Sequence, residues 1–252
     1  MANKITVTIL TRNSAKYLAE CLGALAAFDE VLLLDNGSTD DTMEIAGRFP
    51  NVSLYEHPFI GFGPMKNLAV DKASNDWILS IDSDEVLTPE LVREILSLEL
   101  DDRVFYTIER DNYYHGRLIR GCGWANDRVN RLFNRRRTRF DDRLIHEGII
   151  AGEGMRAELL VGRMKHHTFD DASQLVHKMQ QYSTLWAEEN RGRRRTTPAG
   201  ALLSGLFTFI KSYLLQSGWR YGYEGLLISI SNANGAFYKY IKLYEADRFD
   251  RV

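Results

Sequence analysis

Trp77-Ile78-Leu79-Ser80-Ile81-Asp82-Ser83-Asp84-Glu85 sets the reading of this chain. A short apolar run ending in closely spaced carboxylates predicts a buried strand that delivers acids to a sheet edge. Asp82 and Asp84, one residue apart, suit a hard cation such as Mg²⁺ or Mn²⁺, and such a cation can hold a diphosphate. Glu85 either supports that site from behind or caps the helix opened by Pro89.

Working outward, residues 1–100 alternate strand and helix. Ile5–Leu10 reads as a strand, Ala15–Leu25 as a helix, and Val31–Asp35 as an apolar strand buried on both faces. Asn36–Asp41 is turn chemistry with Asp40 as N-cap, ahead of a helix over Thr42–Phe49. Val52–Tyr55 is a short strand and Pro64–Ala73 a helix. This order predicts an α/β fold with a Rossmann-like, mostly parallel sheet flanked by helices and ligands at the strands' carboxyl ends. Beyond residue 100, Val104–Ile108, Arg131–Phe133 and Leu144–Ile145 are short strand candidates, and 172–190 and 199–244 have helical periodicity.

The composition, 44% hydrophobic and 26% charged over 252 residues, is that of a globular protein. Cys21 and Cys122 make no disulfide framework, which predicts a reduced, cytosolic chain, and the N-terminus runs into a strand without a signal-peptide profile. The net charge of −2 hides a split. Residues 1–190 carry 22 Lys and Arg against 30 Asp and Glu, whereas residues 191–252 carry 10 against 4.

Asp35, Asp82 and Asp84 fall at predicted strand ends, as does Thr11-Arg12-Asn13. Taken singly, Asp35 reads equally as a turn residue, and Asp82 and Asp84 as acids ahead of a helix. Jointly they read as one crevice, because independent turns need not place acids at successive strand ends. Thr11-Arg12-Asn13-Ser14-Ala15 is not a glycine-rich phosphate loop, which argues against a nucleotidyltransferase or a dinucleotide-dependent dehydrogenase. A non-catalytic membrane- or partner-binding protein is disfavoured by the retention of all three acids.

Thr11-Arg12-Asn13, Leu34–Thr42, Lys66-Asn67 and Asp82–Glu85 stand in the order and rough spacing of a GT-A family 2 glycosyltransferase, which the chain resembles over at least residues 5–100. Gly123-Trp124, Asp127, Arg131-Leu132-Phe133, His146-Glu147 and the amphipathic tail resemble the bacterial lipopolysaccharide-core β-glucosyltransferases that modify inner-core heptose. The resemblance implies a UDP-sugar donor, glucose by analogy, with Thr11 beside the uracil and Asp35 accepting from its ring nitrogen. It further implies Lys66 near the base or diphosphate, Asp82 at the ribose or the metal's water shell, and Asp84 on the metal. An inverting transfer needs a carboxylate to take the acceptor hydroxyl's proton. Asp127 is the expected base and Glu147 the alternative. His146 is the expected further metal ligand, with His166 ranked second. The family's usual Glu-Asp pair is here Asn126-Asp127, Trp124 is placed to pack on a sugar face, and an ion pair of Asp127 with Arg128 or Arg131 is the competing reading.

The tail joins an Arg191, Arg193, Arg194, Arg195 cluster to an apolar stripe through Leu202, Leu206, Phe209 and Tyr213. Its longest charge-free run, Thr196–Ile210, has 15 residues, short of the about 20 that span a bilayer. The expectation is interfacial helices on an anionic membrane, at the cytoplasmic face, beside a lipid-anchored saccharide acceptor, with core heptose, another lipid-linked sugar and a protein all open as the acceptor. Nothing points to nucleic acid, and packing on the domain or in a homo-oligomer is the competing use of the stripe. The expected organisation is a catalytic domain over 1–190, with 1–100 the nucleotide half and 101–190 the acceptor half, and a helical appendage over 191–252.

Overall fold

The computed structural model describes residues 3–143 and 148–249. The chain divides into two compact units, residues 1–111 with 126–166, and residues 112–125 with 167–252.

In chain order the elements begin β1 (Ile5–Thr11), α1 (Ala15–Ala24), β2 (Glu30–Asp35), α2 (Thr42–Ala46), β3 (Val52–Glu56), α3 (Phe62–Lys72), β4 (Trp77–Asp82), β5 (Glu85–Leu87) and α4 (Pro89–Ser97). They continue with β6 (Val104–Tyr114), β7 (Arg117–Leu118), β8 (Asp127–Asn134), β9 (Arg156–Phe169), α5 (Ala172–Asn190), α6 (Pro198–Ile210) and α7 (Gly222–Phe249). Among the described residues the sheet runs β3-β2-β1-β4-β8-β6-β9-β5. β3, β2, β1 and β4 are mutually parallel, as expected of strands joined by helices. The parallel order stops there: β8 pairs antiparallel with β4 and with β6, and β5 antiparallel with β9.

Val31, Leu32, Leu33 and Leu34 are wholly buried, each side chain contributing about 1.5–3 kcal/mol of burial. α1 packs Leu18, Cys21 and Leu22 into one core with Val31 and Leu33, while Leu32 and Leu34 cluster with Met65 and Ala69 of α3, so Cys21 is structural; burial first, then nearby carboxylates, push its thiol pKa far up. Thr88 caps α4 by accepting from Leu91 N–H at 3.3 Å, and Pro89 fills the first helical turn. Helix α2 ends at Ala46, shorter than expected, and α3 starts two residues before Pro64. Strand β9, unforeseen in the sequence, passes α4 at Gly162, where a Cβ would lie 2.5 Å from Leu91 Cα. Leu144–Ile145 lies outside the described residues.

In the second unit α5 packs on α7 through Trp186 and Tyr240, whose ring centroids are 5.1 Å apart, and through Lys242, which donates to Ser183 and Thr184 hydroxyls at 2.8 Å. The helical periodicity expected over 199–244 resolves into α6 and α7 with a break between them. α6 passes into a π turn over Lys211–Leu215, and Ser217 adopts φ 58° before a 3₁₀ turn over Gly218–Tyr221. Gly225 has no room for a side chain, since a Cβ would meet Gly218 O at 1.9 Å. Pro198–Leu215 is long and apolar enough to cross a membrane by length and composition, with 17% of it buried.

The amino ends of β1 and β2 are tied by Glu30, which accepts from the Thr6 hydroxyl and from Ser74 N–H and Oγ at 3.0 and 2.8 Å. Burial pushes the Glu30 carboxyl up, but these donors hold it below its usual range. A carboxylate whose pKa is lower folded than unfolded stabilises above its unfolded value, about 4.3, and ceases to as pH falls through the folded one. Glu30→Gln is expected to cost about 1 kcal/mol at pH 7. In urea denaturation the gap from the parent should narrow below about pH 4; a gap unchanged at low pH refutes this.

Candidate active site

Parallel register brings the strand ends together: Thr11 lies opposite Asp35, and Leu10 opposite Asp82. The loops beyond them are cross-braced. Asn13, at φ 51°, donates its N–H to Ser38 Oγ at 2.9 Å and accepts from Thr39 N–H at 2.7 Å. Ser14 N–H donates to Thr42 Oγ1 at 2.7 Å, and Ser14 Oγ lies 2.8 Å from Ser83 Oγ. Asp40 accepts from Thr42 N–H at 3.1 Å and from Ala15 N–H at 3.2 Å, serving both helix starts one residue before the N-cap of α2.

Asp35, 2% exposed, spends its carboxylate on its own turn: Gly37 and Ser38 N–H donate to Oδ2 at 2.9 and 2.8 Å, and Ser38 Oγ donates to Oδ1 at 2.5 Å. Thr11 is buried and its hydroxyl has no hydrogen-bond partner among the described residues. Such a group costs about 1–3 kcal/mol unless a ligand atom satisfies it.

Arg131, Lys66 and Glu85 around Asp82 are buried, whereas the Asp82 side chain is 40% exposed. Arg131, 5% exposed on β8, donates through one Nη2 to Asp82 Oδ2 at 2.6 Å and to Glu85 Oε1. Lys66 of α3 places Nζ 3.5 Å from Asp82 Oδ1. Burial alone would raise the Asp82 pKa, but Arg131 and then Lys66 hold it well below the carboxylate range. Burial likewise favours a neutral Arg131, and Asp82 and Glu85 overcome this and keep it charged. Glu85 is fully buried; its Oε2 accepts from Asp82 N–H at 3.0 Å, so it does not cap α4.

Asp127, opposite Arg110 in the β6–β8 register, accepts from Arg110 Nε at 2.9 Å and lies 2.8 Å from its Nη2. Arg110 Nη1 also donates to Glu85 Oε1 at 3.1 Å. The arginines named in the competing reading of Asp127 pair with other acids, Arg128 with Glu109 at 3.5 Å and Arg131 with Asp82 and Glu85. Trp124 is committed to an apolar cluster of the second unit, its ring 5.8 Å from Phe169.

His166, opposite Glu85 in the β5–β9 ladder and 8% exposed, sets Nε2 3.6 Å from Asp84 Oδ2. Its neighbour His167 packs on Tyr113 instead. His146 and Glu147 lie outside the described residues. Among the described residues no three His, Cys, Asp or Glu side chains converge as a metal cluster. A carboxylate beside an imidazole is nonetheless a donor pair that Mg²⁺ or Mn²⁺ accepts when a ligand supplies the remaining oxygens. Asn67 adds a brace: its amide exchanges hydrogen bonds with the Phe140 backbone at 2.9 and 3.1 Å. Gly63 lets residues 141–143 approach α3, its N–H donating to Arg143 O at 3.1 Å.

Arg110, Arg131 and the serines at 14, 38 and 83 were not foreseen as site residues. The sequence offered a signal for Arg131 alone, which shares its strand face with Val129 and Phe133; Arg110 stands between Glu109 and Asp111.

Comparison with known proteins supplies the chemistry. The model of glycosyl transferase family 2 matches residues 6–162. A lipopolysaccharide core biosynthesis glycosyltransferase of Rhizobium meliloti is 27% identical over 256 residues, covering 96% of this chain and 92% of its own. An uncharacterized glycosyltransferase of Rickettsia prowazekii is 27% identical over 254 residues, covering 95% and 86%. Staphylococcus aureus TarS 1–349 in complex with UDP aligns with 99% of this chain and 94% of its own at a TM-score of 0.48 and 15% identity. The family match takes in β1–β8 and the first half of β9, and with them the whole charged edge from Thr11 to Asp127: this chain is a glycosyltransferase and belongs to glycosyl transferase family 2.

Proposed function

We propose that the chain is an inverting, metal-dependent transferase that moves a sugar, glucose by resemblance, from a UDP-sugar to inner-core heptose of lipopolysaccharide. The observation that carries this reading is the carboxyl edge itself. Thr11, Asp35, Lys66 and Asp82 gather where a nucleotide lies on a sheet of this kind, with Asp84 beside them. The Rhizobium relative, similar over nearly its whole length, supports the acceptor.

In this reading Thr11 and Asp35 receive the uracil, Lys66 faces the diphosphate, and Asp82 sits between Lys66 and the ribose. Asp84, with His166 as the neighbouring donor and His146 the other candidate, holds Mg²⁺ or Mn²⁺. The cation's contribution is to neutralise charge on the departing UDP. Asp127 takes the proton of the attacking hydroxyl, with Glu147 the alternative base.

The second unit supports peripheral work on an anionic membrane. Leu202, Leu203, Leu206 and Phe207 of α6 are each more than half exposed, as are Leu214, Leu215 and Trp219 beyond it. Basic residues Arg193–Arg195, Lys211 and Arg220 flank this apolar band. The helical run Pro198–Leu215 reaches at most about 27 Å against a bilayer core of about 30 Å, and Lys211 within it favours lying in the interface on the cytoplasmic face.

UDP with Mn²⁺ is expected to raise the melting temperature by on the order of 5 °C at saturating ligand. Asp84→Ala should erase the metal-dependent part of that rise. Asp127→Asn should keep it and lose about 10²–10⁴-fold in transfer to heptose-bearing core oligosaccharide. No shift with any nucleoside diphosphate would sink the donor assignment, and a fully active Asp127→Asn would move the base elsewhere. For the tail, full-length protein should co-sediment with vesicles containing phosphatidylglycerol, less so at high salt, and Leu206→Glu with Phe207→Glu should release it. Failure of the parent to bind at low salt would remove the interfacial role.

A further inference from the structure

The candidate base and the nucleotide-side acid hang on one buried carboxylate. Glu85 is fixed by β5, whose ladder partner is β9, and has no exposed surface. Its Oε1 receives Arg131 from β8 and Arg110 from β6; its Oε2 receives the N–H of Asp82. Arg131 then holds Asp82, and Arg110 holds Asp127. Burying an ion cluster of this kind is no more stabilising than filling the space with apolar groups, so its worth is geometric.

The grip on Asp127 is specific. Nε and Nη2 of one guanidinium both address the same oxygen, Oδ2, at 2.9 and 2.8 Å, while Nη1 addresses Glu85. Two fork contacts on one oxygen, from a cross-strand neighbour on the same sheet face, fix the rotation of the carboxylate and hence the direction in which Oδ1 points. A guanidinium can do this while bound to Glu85; an ammonium, a point charge with no fork, cannot hold both acids in fixed geometry.

We infer that Arg110 is the positioning residue for Asp127, and that Glu85 sets the arginine and ties it to the Asp82 edge, so that the base and the nucleotide end of the site are held in one frame. This rests on Asp127 being the base. A base misdirected by as little as 1 Å loses about 10²-fold in rate, and among the described residues the ion pairs of Arg110 run to Asp127 and Glu85.

The test uses the full chain with UDP-glucose and Mn²⁺ as donor mixture and heptose-bearing core oligosaccharide as acceptor. Arg110→Gln and Arg110→Lys are expected to lower kcat by about 10–100-fold while UDP affinity and the KM for UDP-glucose stay within about threefold. Arg110→Lys keeps the positive charge beside Glu85, so it guards against a variant that fails to fold. In an Asp127→Asn background, Arg110→Gln should add no further loss in kcat, because residues that act as a unit are not additive. A kcat unchanged in both Arg110 variants, or a loss that adds in full to that of Asp127→Asn, would overturn the positioning role. Full activity of Asp127→Asn alone would instead overturn the base assignment, and the positioning role with it.

Discussion

Arg131 buried between Asp82 and Glu85 is the contact on which the charged edge depends. Parallel strands that end together collect acids by construction, and acids collected in a low-dielectric edge repel one another. The strands carrying Thr11, Asp35 and Asp82 contain no compensating cation of their own. The compensation arrives from the antiparallel side of the sheet, through Arg131 on β8 and Arg110 on β6, with Lys66 from α3. The two halves of the sheet are thus chemically unlike: one supplies carboxylates at loop ends, the other supplies guanidiniums from strand interiors.

That division explains what the sequence made legible. Asp35, Asp82 and Asp84 follow apolar runs, so local pattern alone places them at strand ends. Glu85 sits one residue on and reads as either support or cap; only its burial and its three donors decide for support. Arg110 and Arg131 lie in strands whose partners are distant in sequence, and their roles follow from register, which no local pattern encodes. β9 escaped notice for a similar reason. Its alternation is interrupted by Gly162, and that glycine is there for α4, an element about seventy residues earlier.

The helical tail shows the opposite failure. Its periodicity runs on through residues 199–244, yet the chain turns at Ser217–Gly218, because Gly218 and Gly225 allow backbones to meet where any side chain would intrude. Apolar periodicity reports which face is greasy, and close glycine contacts report where the axis bends. Likewise, Cys122 at φ 57° and its carbonyl, which accepts from Ser212 Oγ and Asn232 Nδ2, bind the 112–125 segment to the tail helices, so that a segment from the middle of the chain belongs to the unit formed by its end.

The place of β4 between β1 and β8 has a consequence for biosynthesis. Ile78 pairs with Phe133, so when Trp77–Ile81 leaves the ribosome its second neighbour has not been made. At about 5–20 residues per second the delay is roughly several seconds. For that time an apolar strand with an open hydrogen-bonding edge belongs to an incomplete sheet, the state in which nascent chains pair wrongly with one another. The same insertion that later brings Arg131 to Asp82 leaves this stretch with an open edge while the chain is being synthesised.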